Sequence, residues 1–313
     1  MSHSTGRRAF IKAGAALGSV TLGGAAIGSL AQEASAQSTY LAHRRLKLSL
    51  AAYSFRSLLT NGQMTMEDFI DYCDELNLEG TELTSYYFDA PNPRDPRTVD
   101  DDYLRRLRLK CFKQGLDISG TAIGNNFVKA DAAERRAEIE NVKLWIDKAN
   151  TLGAPVIRIF GGSRFPEGAT EDDVYEWVIP ALQESVAYAA EKGIVLALEN
   201  HGGFPETAEQ TIRLVKTVDN PWLGVTLDTG NFDDNWFAQM AALVPYASTV
   251  QVKPYLHSNY AGTSTKIATD PERIIRLLKL NGYKGYVVME YGDSDDPYKA
   301  VPPWMARLRE LCS

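Results

Sequence analysis

Residues 194–228 read IVLALENHGGFPETAEQTIRLVKTVDNPWLGVTLD, and this stretch sets the pattern for most of the chain. The apolar run IVLALE ends in an acid, and the run LGVTLD repeats that pattern at the end of the stretch. Between the two runs, Thr207 and Gln210 have the spacing of a capping box, which predicts a helix over residues 207–218. Two short apolar strands joined by a helix predict a parallel βαβ unit.

The same alternation of strand and helix continues along the chain in both directions. Predicted strands lie at 46–53, 81–84, 116–123, 155–160, 194–199, 223–228, 248–253 and 285–290. Predicted helices lie at 64–76, 100–114, 130–152, 170–192, 207–218, 236–243, 270–280 and 298–311. Eight such units fit a single closed (β/α)8 TIM barrel of the α/β class, whose usual length is about 250 residues. An open doubly wound sheet is the alternative, but no predicted strand leads into a GxGxxG turn.

The first 36 residues have the pattern of an export signal. Arg7 and Arg8 precede an apolar, glycine-rich segment, and Ala34-Ser35-Ala36 offers a cleavage site. The paired arginines resemble a twin-arginine (Tat) signal, which implies export to the periplasm or the extracellular space. An uncleaved membrane anchor is the alternative, but the glycines between residues 14 and 28 would weaken its insertion. We therefore expect a signal peptide at 1–36, a linker at 37–45 and the barrel at 46–313, with membrane contact only during export.

Composition narrows the classes of partner. The 313 residues include 33 Lys and Arg and 40 Asp and Glu, a net charge of −7. An acidic chain does not favour a nucleic-acid partner, because phosphate binding needs a basic face. The three cysteines are far apart in the sequence, which excludes a disulfide scaffold. A small carbohydrate is the partner we expect, and the sequence leaves the oligomeric state open.

Polar residues end the last four predicted strands. Glu199, Asp228 and Glu290 each end an apolar run, and Gln251 lies near the end of the seventh predicted strand. In a parallel barrel these ends meet at one mouth, where active sites lie. Three carboxylates there would repel each other, and a divalent cation would relieve that repulsion. Oxygen ligands of this kind favour Mg²⁺ or Mn²⁺ over zinc. Alternatively, each acid could cap a helix or pair with an arginine.

A resemblance to a known family adds to this interpretation. The motifs that carry it are LENHGG (198–203), LDTGN (227–231), VQVKP (250–254) and VVMEYG (287–292). In this order they resemble the xylose isomerase-like TIM barrels, which include sugar phosphate isomerases/epimerases, ketose 3-epimerases and hydroxypyruvate isomerase. The resemblance implies that Glu199, Asp228, Gln251 and Glu290 are metal ligands. It also implies that Glu199 and Glu290 act as the acid/base pair.

Five further residues are candidates for substrate contacts. The resemblance implies such contacts at Asn231 and His257. His201 and Lys253 each follow a proposed ligand by two residues, so they share its face if the strand continues. Tyr53 follows the first strand and could form part of an apolar wall for a sugar ring.

These residues together predict an exported, divalent-metal-dependent sugar isomerase or epimerase. One glutamate would remove a proton α to a carbonyl, the metal would stabilise the enediolate, and the other glutamate would return a proton. A lyase or dehydratase acting on a keto-sugar or keto-glycoside through the same metal site is an alternative, and a non-catalytic exported sugar-binding protein is another. The family's endonuclease branch needs a basic groove and many histidines, which this chain lacks. Glu82 and Arg158, on earlier strands, could serve either the site or the barrel wall.

Overall fold

The computed structural model describes residues 45–258 and 265–313 of the chain. The predicted signal peptide (1–36) and all but the last residue of the predicted linker (37–45) lie outside the described residues. Within the described part, no helix is both long enough and apolar enough to cross a membrane.

Parallel strands form the centre of the fold. The strands of the described residues are β1 (Lys47–Ala51), β2 (Gly80–Thr84), β3 (Asp117–Ala122), β4 (Val156–Ile159), β5 (Val195–Glu199), β6 (Leu223–Asp228), β7 (Ala247–Val252), β8 (Tyr255–Ser258), β9 (Thr265–Ala268) and β10 (Tyr286–Met289). Eight of these described strands close into a barrel in the order β1-β10-β7-β6-β5-β4-β3-β2. The predicted single (β/α)8 barrel is therefore confirmed, and every predicted strand is present.

Helices surround the barrel. Those of the described residues are α1 (Arg56–Thr60), α2 (Met66–Glu75), α3 (Asp101–Gln114), α4 (Ala132–Leu152), α5 (Glu171–Glu191), α6 (Ala208–Val218), α7 (Trp236–Leu243), α8 (Pro271–Leu280) and α9 (Pro297–Cys312). Their ends follow the sequence signals. The Thr207 side chain accepts a hydrogen bond from the backbone of Gln210, which completes the predicted capping box at the start of α6. Gly115 ends α3 in the left-handed conformation, with φ 72°.

Helix α1 and strands β8 and β9 were not predicted from the sequence. Helix α1 is a short turn after β1, and β8 pairs antiparallel with β9 as a separate ribbon between β7 and α8. The segments YLHS and TKIA that form β8 and β9 are too short for alternation to reveal them, and no Asn-Gly or Asp-Gly turn joins them.

Alternate residues of the strands face opposite sides of the barrel wall. Leu196, Leu198, Val287 and Met289 are fully buried in the layer beneath the helices. Burying a leucine in this way stabilises the fold by about 1.5–3 kcal/mol. The residues between them face the barrel interior, where polar groups concentrate toward the carboxyl ends of the strands. This apolar layer holds the strand ends, and hence the polar site, in place.

Candidate active site

The four predicted metal ligands meet at the carboxyl end of the barrel. Glu199 ends β5, Asp228 ends β6, Gln251 lies in β7 and Glu290 directly follows β10. All four are buried. Asp228 and Gln251 are partners in the register of β6 and β7, and Lys253 links Asp228 to Glu290. The structure thus brings together the residues that the strand-end pattern singled out.

Glu199 is held by two neighbours. Its Oε2 lies 3.0 Å from Nε of Arg158, and its Oε1 accepts a hydrogen bond of 2.9 Å from Nδ2 of Asn231. Burial raises the pKa of Glu199 to about 8, although the Arg158 guanidinium opposes that rise. Arg158 also donates to the backbone carbonyl of Ile123 at 2.8 Å. Arg158 therefore belongs to the site, and Asn231 contacts Glu199 as well as lining the open side.

Asp228 is positioned by the residue that follows Glu199. Nδ2 of Asn200 donates to the Asp228 carbonyl, and Oδ1 of Asn200 accepts from the Asp228 backbone N–H, both at 2.9 Å. The Asp228 Oδ1 atom accepts a further hydrogen bond of 2.7 Å from the backbone of Gly230. Asn200 is fully buried. Sequence reasoning overlooked Asn200, although its place directly after a strand-end acid was the signal available.

Gln251 is oriented by Glu82. The Glu82 side chain therefore belongs to the site and is more than a part of the barrel wall. Nε2 of Gln251 lies 3.3 and 3.4 Å from the two carboxylate oxygens of Glu82 and donates to them. This leaves the Oε1 atom of Gln251 buried without a hydrogen-bond donor. Burial, reinforced by the charge of Glu290, raises the pKa of Glu82 to about 7.

Lys253 lies among the acids. Its Nζ is 2.6 Å from Oδ2 of Asp228, 3.2 Å from Oε1 of Glu290 and 3.2 Å from Oδ1 of Asn231. Burial opposes the charged form of Lys253, but the carboxylates of Asp228, Glu290 and Glu199 outweigh it and raise the pKa of the ammonium.

The other candidates for substrate contacts lie at different places around the mouth. The ring centroid of His201 is 4.7 Å from that of Phe160, and its Nδ1 is 3.2 Å from the carbonyl oxygen of Gly202. Tyr53 is half-buried after β1, and its ring is covered by the guanidinium of Arg56. His257 lies on β8, where its backbone pairs with Lys266, and its side chain lies outside the described residues.

A polar cleft of about 930 Å³ opens beside the acids. It lies between the loops that follow β4, β5 and β6, and its lining includes Arg164, His201, Glu206, Asn231 and Gln239. The loops after β4 and β5 are joined by two backbone hydrogen bonds between Gly162 and Phe204. Gly203 has φ +120°, and a Cβ there would come within 2.6 Å of the Gly162 carbonyl oxygen, so a side chain would break this edge of the cleft.

A metal would need one side chain to move. No group of three or more His, Cys, Asp or Glu side chains in residues 45–258 and 265–313 is arranged to hold a metal ion. Lys253 lies between two of the expected ligands. The expected ligands nonetheless suit a hard divalent cation in type, since they offer carboxylate oxygens and the Oε1 atom of Gln251, which accepts no hydrogen bond.

The charge of the site also fits a divalent cation. When ionised, the four buried acids Glu82, Glu199, Asp228 and Glu290 face two cations in ion-pair contact, Arg158 and Lys253. With all four acids ionised, as they would be beside a bound cation, the described site has an excess of two negative charges, which is the charge that one divalent cation would neutralise.

Comparison with known proteins assigns the family. A family model described as xylose isomerase-like TIM barrel matches residues 63–310. The chain belongs to the xylose isomerase-like TIM barrel family. No curated protein matches the sequence significantly.

Solved structures similar to this xylose isomerase-like barrel share its fold at low sequence identity. A probable 3-DHS dehydratase involved in petrobactin synthesis from Bacillus anthracis has a TM-score of 0.65 and 17% identity, over 85% of this chain and 98% of that chain. A 3-keto-D-glucoside 4-epimerase from E. coli has a TM-score of 0.61 and 16% identity, over 79% of this chain and 94% of that chain. A xylose isomerase-like TIM barrel protein from Mycobacterium smegmatis, solved in complex with magnesium, has a TM-score of 0.59 and 17% identity, over 79% and 89% of the two chains.

Proposed function

We propose that this protein is a divalent-metal-dependent isomerase or epimerase of a sugar or keto-sugar, with Glu199 and Glu290 as its acid/base pair. The observation that carries the proposal is the convergence of these two buried glutamates with Asp228 and Gln251 at one barrel mouth. Strands β5 and β10 are separated by β6 and β7 around the barrel, so the two glutamates flank a substrate from different directions. The family assignment supports an enzyme of this class.

Each of the chain's polar groups has a role in this mechanism. Glu199, Asp228, Gln251 and Glu290 would hold the metal, which when bound would polarise the substrate carbonyl. One glutamate removes the proton α to the carbonyl, and the electron pair of the broken C–H bond forms the enediolate. The other glutamate returns a proton, at the same carbon from the opposite face for epimerisation or at the neighbouring carbon for isomerisation. Arg158 and Asn231 hold Glu199 in the orientation that proton transfer requires.

The cleft supports a second candidate, a lyase or dehydratase acting on a keto-sugar or keto-glycoside. The cleft of about 930 Å³ lies beside the acids, so it offers room for a leaving group attached to a sugar unit bound over them. The same proton abstraction would then expel a β-substituent, and the proton would pass to the departing oxygen.

Deuterium exchange tests both candidates. The purified protein is incubated in D₂O with Mn²⁺ or Mg²⁺ and a panel of free sugars, keto-sugars and keto-glycosides, and the products are read by mass spectrometry and NMR. Deuterium uptake into a product of otherwise unchanged composition supports the isomerase or epimerase, and loss of water or an aglycone supports the lyase. Glu290→Gln should abolish either reaction, whereas Glu209→Gln, on the exposed face of α6, should not change it.

A sugar-binding protein without catalytic activity would give a different result. No substrate would take up deuterium, and Glu290→Gln would bind sugar as tightly as the parent protein. That outcome would contradict the proposed reaction.

Export is a separate proposal that rests on Arg7, Arg8 and the apolar segment behind them. Replacing both arginines with lysine should retain the protein in the cytoplasm of a Tat-competent host, and fractionation measures this. Unchanged export of the double variant would contradict the proposal.

A further inference from the structure

Lys253 follows β7 at the centre of the site, and neighbouring residues fix the position of its main chain and the path of its side chain. Its backbone N–H donates to Oγ1 of Thr229 at 3.2 Å, which holds its main chain. Its side chain runs past Gly230, where an added Cβ would come 2.7 Å from Cδ of Lys253. A larger residue at 230 would therefore block this path. The fold thus directs the Lys253 ammonium to the acids.

Three acceptors surround that ammonium. They are Oδ2 of Asp228 at 2.6 Å, Oε1 of Glu290 at 3.2 Å and Oδ1 of Asn231 at 3.2 Å. The ammonium donates a hydrogen bond to Asn231 and forms ion pairs with the two carboxylates. Two of the acceptors belong to residues that the proposed function assigns as metal ligands.

An ammonium and a divalent cation cannot both occupy the space between those carboxylates. Like charges a few ångströms apart in a buried site repel strongly. The group that we expect to move is the Lys253 side chain, because it is long and flexible. Its main chain is held by Thr229, and the carboxylates project from the strand ends, so these would stay in place. Its side chain is 18% exposed, and Asn231, one of its acceptors, lines the polar cleft. That side offers the ammonium a route out.

We propose that Lys253 is an internal cation that neutralises Asp228 and Glu290 in the metal-free protein and is displaced toward the cleft when a divalent metal binds. This inference rests on the metal dependence of the proposed function. The displaced ammonium keeps its reach to Asn231 and becomes a hydrogen-bond donor for a substrate oxygen in the cleft. Metal loading and substrate binding are then coupled through one side chain.

Metal titration of Lys253→Met tests this competition. Methionine has a similar length but no charge, so the variant removes the competitor. We expect the Kd for Mn²⁺ and for Mg²⁺, measured by calorimetry on chelator-treated protein, to fall about tenfold or more relative to the parent protein. The metal-free variant should also unfold at a lower temperature and recover when metal is added. Lys266→Met is the matched control, because Lys266 pairs with Asp293 outside the site and should leave the Kd unchanged.

A second measurement uses the unaltered protein and does not depend on the folding of a variant. Reductive methylation followed by mass spectrometry reports how accessible each lysine is. Methylation of Lys253 should be slow without metal and several-fold faster with Mn²⁺, whereas Lys266 should react at the same rate in both conditions.

The outcomes separate this inference from the proposed function. A parent protein that binds metal, with a Lys253→Met variant that binds it no more tightly, overturns the displacement and leaves the isomerase proposal standing. A methylation rate at Lys253 that metal does not change also overturns it. If neither protein binds metal, both the displacement and the metal dependence of the reaction are wrong, and the deuterium-exchange assay alone decides whether the acids are catalytic.

Discussion

Replacing Arg158 with methionine should destabilise the barrel by leaving Glu199 without its buried counter-charge. Arg158 is 6% exposed. Its Nε lies 3.0 Å from the Glu199 carboxylate, its NH1 group donates to Tyr86 and Ile123, and its guanidinium covers the ring of Phe160 at 4.1 Å. Methionine retains much of the apolar packing, and it removes the ion pair with Glu199 and the hydrogen bonds to Tyr86 and Ile123.

Breaking a buried ion pair by removing one partner costs roughly 3–5 kcal/mol. In a barrel of this size, each kcal/mol corresponds to about 2–4 °C in Tm, so a fall of about 6–20 °C is expected. Glu199 can limit the loss by taking up a proton, since burial already raises its pKa to about 8 and the loss of Arg158 would raise it further. Chemical unfolding at pH 7 measures the free-energy change directly.

A double-mutant cycle with Glu199→Gln isolates the charge interaction. Glutamine carries no charge to leave unpaired, so Arg158→Met should cost about 1–3 kcal/mol less in that background. Arg213→Met is the matched control, because Arg213 also covers an aromatic ring and pairs with an acid, but in solvent, and should cost less than about 1 kcal/mol. An equal cost of Arg158→Met in both backgrounds would refute the ion-pair reasoning.

Three further substitutions test groups that support the site or the fold. Glu82→Leu removes the acceptor of the Gln251 amide, and we expect a loss of about 1–3 kcal/mol in urea unfolding together with reduced activity. Asn200→Ala removes both hydrogen bonds to the Asp228 backbone and should lower the free energy of unfolding by about 2–4 kcal/mol. Most of the variant should still be folded at 25 °C, and its kcat should fall by a larger factor than its folded fraction does. Glu184→Gln should cost no more than about 1 kcal/mol at pH 7, because this surface carboxylate is partly exposed. Hydrogen bonds from its basic neighbours lower the pKa of Glu184 to about 2, so its stabilisation is complete above pH 4.5 and is lost as the pH falls through 2.

Each of these three has its own contrary result. Glu82→Gln keeps a carbonyl acceptor, so a loss in this variant equal to that of Glu82→Leu would argue against a role in orienting Gln251. Full activity in folded Asn200→Ala would show that the position of Asp228 does not depend on the asparagine. A stability difference between Glu184→Gln and the parent that persists unchanged at pH 2 would contradict the ion pairs of Glu184 with Arg136 and Lys143.

Local signals explain why so much of the fold could be predicted. The capping box of Thr207 with Gln210, the Asp270 cap with Pro271 behind it, and the left-handed Gly115 each set a helix end through contacts within a few residues. The ribbon of β8 and β9 could not be predicted, because its two strands are only four residues each and are stabilised by pairing with each other, which neither segment shows alone.

The site, too, has a part that the sequence predicts and a part that it does not. Strand-end positions follow from the alternation of residues along a strand, so the sequence alone predicts that Glu199, Asp228, Gln251 and Glu290 lie together. The partners of these acids could not, because they depend on the reach of side chains across the barrel. Lys253 was expected to contact substrate, and its ion pairs with two of the expected ligands follow only from the three-dimensional arrangement.

The amide at Gln251 is what keeps the charge of the site in balance. A fourth strand-end carboxylate at this position would leave three negative charges in excess over Arg158 and Lys253, and one divalent cation could not neutralise them. With glutamine there, the excess is two when Glu82 and Glu199 are both ionised along with Asp228 and Glu290. The Glu82 carboxylate in turn holds the amide so that its oxygen remains without a donor. In the proposed metal site, the neutral Gln251 and its buried acidic partner would therefore act as a pair: Gln251 would offer an oxygen to the cation, and Glu82 would supply negative charge for the cation to neutralise.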